Sequence, residues 1–220
     1  MGIPGPLRRV RATLNTAAVR FQAGSRSSKW ELYRRAFPPR RGERVLDLGV
    51  SALDDLPGEN YFVRRYPFPD QLTAVGIDDL TVLRQRYPEV TFVTADGLRL
   101  PFADDSFDVV HSNAVIEHVG EQEDQERFVT ELVRVGRAGF ITTPNRWFPI
   151  ETHCKLPLLH WLPRPLVMRL SKLLRQPDLR WRLLGARGFR RMFPPMLELS
   201  RGCTRILGWP VTLVVVYRRR

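Results

Sequence analysis

Between residues 44 and 145 short apolar runs alternate with stretches that repeat hydrophobic side chains at helical spacing. Arg44–Val50, Leu72–Asp78, Val90–Ala95, Phe107–Ser112 and Gly139–Thr142 read as strands. They are near-continuously apolar, the pattern of strands buried on both faces. Between them Glu59–Tyr66, Thr81–Tyr87 and Glu121–Val135 read as helices. In the last of these, Phe128, Val129, Leu132 and Val133 turn inward together. Trp30–Phe37 is a further helix, stopped by Pro38-Pro39. It lies just before the first strand, where it can cover the strand ends. Strands separated by helices imply right-handed crossovers and a parallel sheet.

Residues 146–195 break this rhythm with seven prolines and with Trp147, Trp161 and Trp181. Within them Leu166–Arg175 is amphipathic: Val167, Leu170, Leu173 and Leu174 fall on one face, Arg169 and Lys172 on another. A second helix is expected over Leu179–Phe193. Met196–Cys203 and Pro210–Tyr217 are strand-like runs around Gly208, close enough to pair antiparallel. The fold expected is α/β, a Rossmann-like doubly wound sheet, mostly parallel, with a helical insertion after the fifth strand. Residues 1–42 read as an N-terminal arm and cover helix. Residues 43–220 read as the main domain, with 146–195 as a basic lid.

Charge changes the picture. The net charge is +12, but residues 31–145 hold 13 basic and 20 acidic residues. Residues 146–191 hold 11 basic and two acidic residues, and residues 1–30 hold six basic and none acidic. An acidic middle between basic flanks points to an anionic surface or substrate, or to a solvated arginine-rich exterior. Residues 1–28 form a loose arm, with a short helix around Leu7–Phe21, whose composition is also that of an organelle-targeting peptide. No apolar run is long enough to span a bilayer. Cys154 and Cys203 share no metal-ligand spacing, so reduced thiols in a cytoplasmic protein are expected.

The candidate chemistry lies at the strand ends, where open α/β sheets bind ligands. Asp47, Asp78, Asp96 and Asn113 close four successive strands. A carboxylate at the second tip can accept both hydroxyls of a ribose. One at the third can accept from an exocyclic amine such as that of adenine. A pyrophosphate would want glycine-rich amides and few carboxylates, and no GxGxxG is present. The pattern favours a cationic nucleoside over a dinucleotide.

Val45-Leu46-Asp47-Leu48-Gly49, Gly76-Ile77-Asp78, Thr94-Ala95-Asp96-Gly97, Leu100-Pro101-Phe102, Ser106-Phe107-Asp108-Val109-Val110 and Ser112-Asn113-Ala114-Val115-Ile116-Glu117-His118-Val119 occur in that order. The set resembles the class I S-adenosylmethionine-dependent methyltransferases of the type 11 group, over about half the chain. The resemblance implies a seven-stranded sheet, parallel except for its last strand, and S-adenosyl-L-methionine as cofactor. It implies Asp47 and Gly49 beside the methionine moiety, and Asp78 on the ribose, with Asp79 its competitor. It implies Asp96 with Gly97 and Leu98 at adenine, Asn113 near the sulfonium, and the Glu117-His118 turn shaping that edge. One departure stands out: the family's Asp-x-Gly-x-Gly-x-Gly loop is here reduced to Gly49-Val50-Ser51-Ala52-Leu53. The methionine end must then be held differently, with Ser51, Asp54 or Asp55 as polar contacts.

Methyl transfer to oxygen or nitrogen can need a base, and histidine has a suitable pKa. His153, just after Pro149-Ile150-Glu151, is the first candidate and His118 the second; His111 reads as a packed core histidine. The Leu166–Arg175 helix is open to two uses, as a lid or on an anionic membrane surface. The function implied is methyl transfer to a small-molecule or lipid-linked acceptor, with possible peripheral contact with an anionic membrane. An RNA or protein methyltransferase and a non-catalytic cofactor-binding scaffold stay open. Thr143-Pro144-Asn145 lacks the Asn/Asp-Pro-Pro-aromatic motif of amino-methylating nucleic-acid enzymes, which counts against nucleic acid.

Overall fold

The computed structural model describes residues 24–56, 58–150, 158–163, 165–167, 169 and 181–219. A helix over residues 24–36 (α1) precedes β1 (Val45–Leu48). Then come α2 (Tyr61–Arg65), β2 (Leu72–Gly76), α3 (Thr81–Arg86), β3 (Thr91–Thr94) and β4 (Phe107–Asn113). After α4 (Gln122–Val135) and β5 (Gly136–Pro144), the chain ends with α5 (Ala186–Arg191), β6 (Glu198–Ile206) and β7 (Trp209–Arg218). The expected helix at Leu7–Phe21 lies outside the described residues, as does most of Leu166–Arg175; residues 165–167 and 169 are helical.

The seven strands form one sheet in the order β3-β2-β1-β4-β5-β7-β6. All pairs are parallel except those of β7, which runs against both β5 and β6. The β6–β7 hairpin turns on Leu207 and Gly208, both at positive φ (48° and 82°), as a two-residue turn of this kind requires. The chain steps outward from β1 to β2 and β3, then returns to β4 on the other side. That reversal opens a crevice at the carboxyl ends of β1 and β4.

Alternation along the strands sends side chains to two cores. Leu46, Leu48, Val110 and Ile141 meet Phe128, Val129 and Leu132 of α4 on one face. Val45, Val109 and Phe140 meet Tyr33 within α1 and Phe37 just beyond it, with Phe62 of α2 and Leu83 of α3, on the other. Each fully buried Leu, Val or Phe contributes about 1.5–3 kcal/mol. A reciprocal capping box between Glu121 and Asp124 starts α4. Tyr217 lies flat against Gly139, where a Cβ would sit 2.3 Å from its ring, and its hydroxyl donates to Leu132 O at 2.9 Å.

Among the described residues of the helix expected over Leu179–Phe193, only Ala186–Arg191 are helical. Residues 181–185 are not helical because their backbone bonds instead to the segments that follow β4 and β5. Arg182 N donates to Glu117 O (2.8 Å), and Leu184 O accepts from Arg146 N (3.0 Å). Likewise the helix expected from Glu59 begins at Tyr61, because Asn60 takes a left-handed conformation (φ 45°).

Candidate active site

The four predicted strand-tip residues lie along one edge of the sheet, since registers align Leu48 with Val75 and Ser112, and Gly76 with Thr94. Asp47 and His111 face each other across β1 and β4 at the switch point. Both are buried, and His111 Nδ1–H donates to Asp47 Oδ1 at 2.7 Å. The imidazole stacks on Phe62 (3.9 Å between centroids, 12°), with Tyr33 edge-on at 5.6 Å. His111 is thus the packed core histidine expected, and it also fixes the Asp47 carboxylate.

Gly49 follows at φ 110°, a conformation that favours glycine, and a Cβ there would lie 2.1 Å from Val115 Cγ2. The loop beyond it has another anchor in place of glycines. Asp54 is buried and accepts from Arg64 Nη2 (2.7 Å), Arg86 Nη1 (2.7 Å), Tyr87 Oη (2.8 Å) and Asn60 Nδ2 (3.1 Å). Burial raises the Asp54 pKa, but these hydrogen bonds outweigh it and hold the carboxyl below its usual range. Asn60 also bonds Ser51 at both backbone groups. Asp54 is therefore committed to holding the loop and faces Arg64 and Arg86. Ser51 Oγ accepts from Leu53 N at 3.2 Å.

At the β2 tip the two neighbouring carboxylates differ. Asp79 Oδ1 accepts from Thr81 N (2.9 Å) and Thr81 Oγ1 (2.6 Å), which opens α3 and lowers the Asp79 pKa. Asp78 is exposed and has no side-chain hydrogen bond among the described residues. Beside it Ile77 is 75% exposed, an apolar surface next to an acid. At the β3 tip Asp96 Oδ1 accepts from Leu98 N at 2.9 Å. Gly97 is needed because Phe128 of α4 lies 2.8 Å from where its Cβ would be. Arg134 pins the following loop through Leu100 O and Phe102 O, and Glu131 accepts from Leu100 N.

The β4 tip meets the cover helix. Lys29 Nζ donates to Asn113 Oδ1 at 2.9 Å, and Thr142 Oγ1 donates to the same oxygen at 2.8 Å. Burial, with Arg26 nearby, lowers the Lys29 pKa to about 8, and Glu117 offsets part of this. Glu117 is fully buried and accepts from Thr143 Oγ1, whereas His118 is exposed on the one-turn 3-10 helix Ile116–His118. His153 lies outside the described residues.

These pieces enclose a cavity of about 110 Å³ bounded by Asp47, Gly49, Ser51, Asn60 and Asn113, with Arg26 at its cover. Arg26 and Lys29 were not among the residues singled out from sequence. Their signal was present: Arg26, Lys29, Tyr33 and Phe37 recur at three- and four-residue spacing, so the inward face of α1 is cationic at one end and aromatic at the other.

The donor set fits S-adenosylmethionine. Its nucleoside end offers two ribose hydroxyls and an exocyclic amine to exposed carboxylates, and its amino-acid end is a zwitterion to which Asp47 and the α1 cations are complementary. Residues 58–141 match the family described as "Methyltransferase domain". The chain is 43% identical over 81 residues to a "Probable S-adenosylmethionine-dependent methyltransferase" of Mycobacterium tuberculosis, covering 34% of this chain and 28% of that one. It is 34% identical over 126 residues to a demethylmenaquinone methyltransferase of Beutenbergia cavernae, covering 53% and 48%. It thus spans half or less of the length of these two relatives. The N-methyltransferase NodS of Bradyrhizobium japonicum, solved with S-adenosylhomocysteine, shares the fold at a TM-score of 0.58 and 13% identity, covering 88% of this chain and 86% of that one. Over residues 58–141 the chain is therefore similar to that methyltransferase family, and its fold is the one NodS shares.

Proposed function

We propose that the chain transfers a methyl group from S-adenosylmethionine to a small-molecule or lipid-linked acceptor. The observation that carries this is the row of Asp47, Asp78, Asp96 and Asn113 along one sheet edge, around a cavity at the switch point. The bound cofactor supplies an electrophilic methyl on a sulfonium. In this reading Asp78 accepts the ribose hydroxyls, since Asp79 is occupied with Thr81. Asp96, with the backbone of Gly97 and Leu98, receives the adenine edge. Asp47, Gly49 and Ser51 border the methionine end, and Asn113 borders the sulfonium. The protein contributes mainly orientation and exclusion of water. The acceptor's nucleophile bonds to the methyl carbon as the carbon–sulfur bond breaks. A protonated acceptor gives its proton to a base, for which His153 and His118 are the candidates.

A small-molecule acceptor is supported by the relative named for demethylmenaquinone. A lipid-linked acceptor is supported by the surface beyond β5. Trp147, Ile150, Leu158, Trp161 and Leu166 are exposed there, and the Arg146 guanidinium lies over the Trp147 ring at 5.6 Å, a cation–π contact. No helix of the described residues is long and apolar enough to cross a membrane, so such contact would be peripheral. The test is calorimetric titration of S-adenosylhomocysteine into the wild-type protein and Asp78→Ala. Binding lost in the variant is expected. No binding by the wild type would favour a scaffold that has lost its cofactor.

A further inference from the structure

The loop after β1 keeps one glycine, so few backbone amides are free to approach the methionine end of a cofactor. What the cavity offers instead is charge of both signs. Asp47 stands at the sheet floor, oriented by His111. Arg26 comes from α1 in the cover and packs so closely on Gly58 that a Cβ there would lie 1.9 Å from its Nη1. Among the described residues the Arg26 guanidinium makes no hydrogen bond or ion pair. Lys29, one turn further along α1, points into the same region and bonds Asn113. The other acid on the wall, Glu59, already accepts from Leu56 N at 2.9 Å.

Two carboxylates beside two cations suit a zwitterion better than a phosphate dianion, which the carboxylates would repel. An α-amino acid presents an ammonium and a carboxylate on one carbon, so each would find its counter-charge. We propose that Arg26, reaching in from α1, holds the α-carboxylate of the cofactor's methionyl end while Asp47 holds its α-ammonium. A side chain of the cover helix thereby replaces the amides of the missing glycine-rich loop. This rests on the cofactor reading above. It also gives α1 a second task besides covering the site, because cofactor binding would fasten the helix down. Burial lowers the Arg26 pKa and Glu59 partly restores it.

The test compares two ligands that share the nucleoside thioether. S-adenosylhomocysteine carries the amino-acid tail, and 5′-methylthioadenosine carries a methyl in its place. Each is titrated calorimetrically into wild type, Arg26→Met and Arg26→Lys. Removing a charge-assisted pair should weaken S-adenosylhomocysteine about 10- to 100-fold in Arg26→Met. Methylthioadenosine should bind that variant as it binds wild type, and Arg26→Lys should recover part of the loss. An equal loss for both ligands would mean that Arg26 acts through the fold, and no loss for either would mean that it is not in the site. Both outcomes overturn the assignment. Wild type that binds methylthioadenosine but gains nothing from the amino-acid tail overturns it too, while leaving the nucleoside site standing. Wild type that binds neither overturns the cofactor reading itself, and the Arg26 assignment with it.

Discussion

Lys29 Nζ lies 2.9 Å from Asn113 Oδ1, which ties the cover helix α1 to the tip of β4. A neutral amide acceptor does little to offset the burial of an ammonium, and Arg26 adds repulsion. The result is a Lys29 pKa near 8, with Glu117 the opposing attraction. Because the folded value lies below the unfolded one, the unfolded state binds more protons between them. Stability should therefore rise with pH through that window, from about 8 to about 10.4, relative to a chain without the group. Urea unfolding across this range should show wild type gaining stability relative to Lys29→Met as pH rises. A constant difference would mean that Lys29 stays charged when folded.

Asp54 should be the residue on which the first loop depends. Its carboxylate gathers Asn60 and Arg64 from the start and body of α2, and Arg86 and Tyr87 from the end of α3. Asp54→Ala should cost about 2–4 kcal/mol at neutral pH, below the full value for a buried pair because Arg64 and Arg86 reach solvent. The carboxyl titrates below its unfolded value, so this stability is complete above about pH 4 and is lost as pH falls through the folded pKa. Denaturant melts of the variant at pH 7 that match wild type would remove Asp54 from this role.

The uneven legibility of these features has a physical basis. Strands β1, β2 and β4 and their tips could be read because a buried strand needs an apolar run, and its polar end is conspicuous against that run. The resemblance then supplied the strand count and a role for each tip. Asp54 was legible only as a polar loop residue, because Arg64 and Arg86 are 10 and 32 residues away and only folding brings them to it. Residues 181–185 carried helical spacing, but bonds from Arg182 to Glu117 and from Arg146 to Leu184 won over local propensity. Arg26 and Lys29 looked like two more charges in a basic arm. Their spacing with Tyr33 and Phe37 put them on one face, and the packing of Tyr33 against Phe62 and His111 shows that this face is turned to the site.

Gly49 carries two constraints at once. Its φ of 110° is unfavourable for any side chain, and Val115 occupies the space a Cβ would need, at 2.1 Å. Gly49→Ala should destabilise the fold by roughly 1–3 kcal/mol and push Val115 away from the β1 tip. Because Gly49 N and Val50 N both donate to Val75 O, the strain should spread to β2. Thermal melts and S-adenosylhomocysteine titrations should both weaken. An unchanged melting temperature would show that the turn adapts without loss.

Asp78 and Asp79 offer a separation of binding from folding within two adjacent residues. Both are exposed acids at the end of β2, so net charge and local field are nearly the same for either substitution. Their contacts differ. Asp79 accepts from the backbone and hydroxyl of Thr81 and so starts α3, whose Leu83 is fully buried in the core on the α1 side of the sheet. Asp78 has no such work among the described residues, and the edge it occupies is the one assigned to the ribose. Asp78→Ala should leave the melting temperature unchanged and weaken S-adenosylhomocysteine at least about tenfold, since two hydroxyls lose a charged acceptor. Asp79→Ala should lower the melting temperature through loss of the Asx turn that leads into α3, while leaving affinity close to wild type. The reverse pattern would give the ribose to Asp79 and shift the nucleoside by one residue along the strand tip. Equal loss of affinity in both variants would mean that the acidic patch acts only through its charge. A titration at raised ionic strength would then abolish the difference from wild type, because an exposed charge without a hydrogen bond is screened by salt.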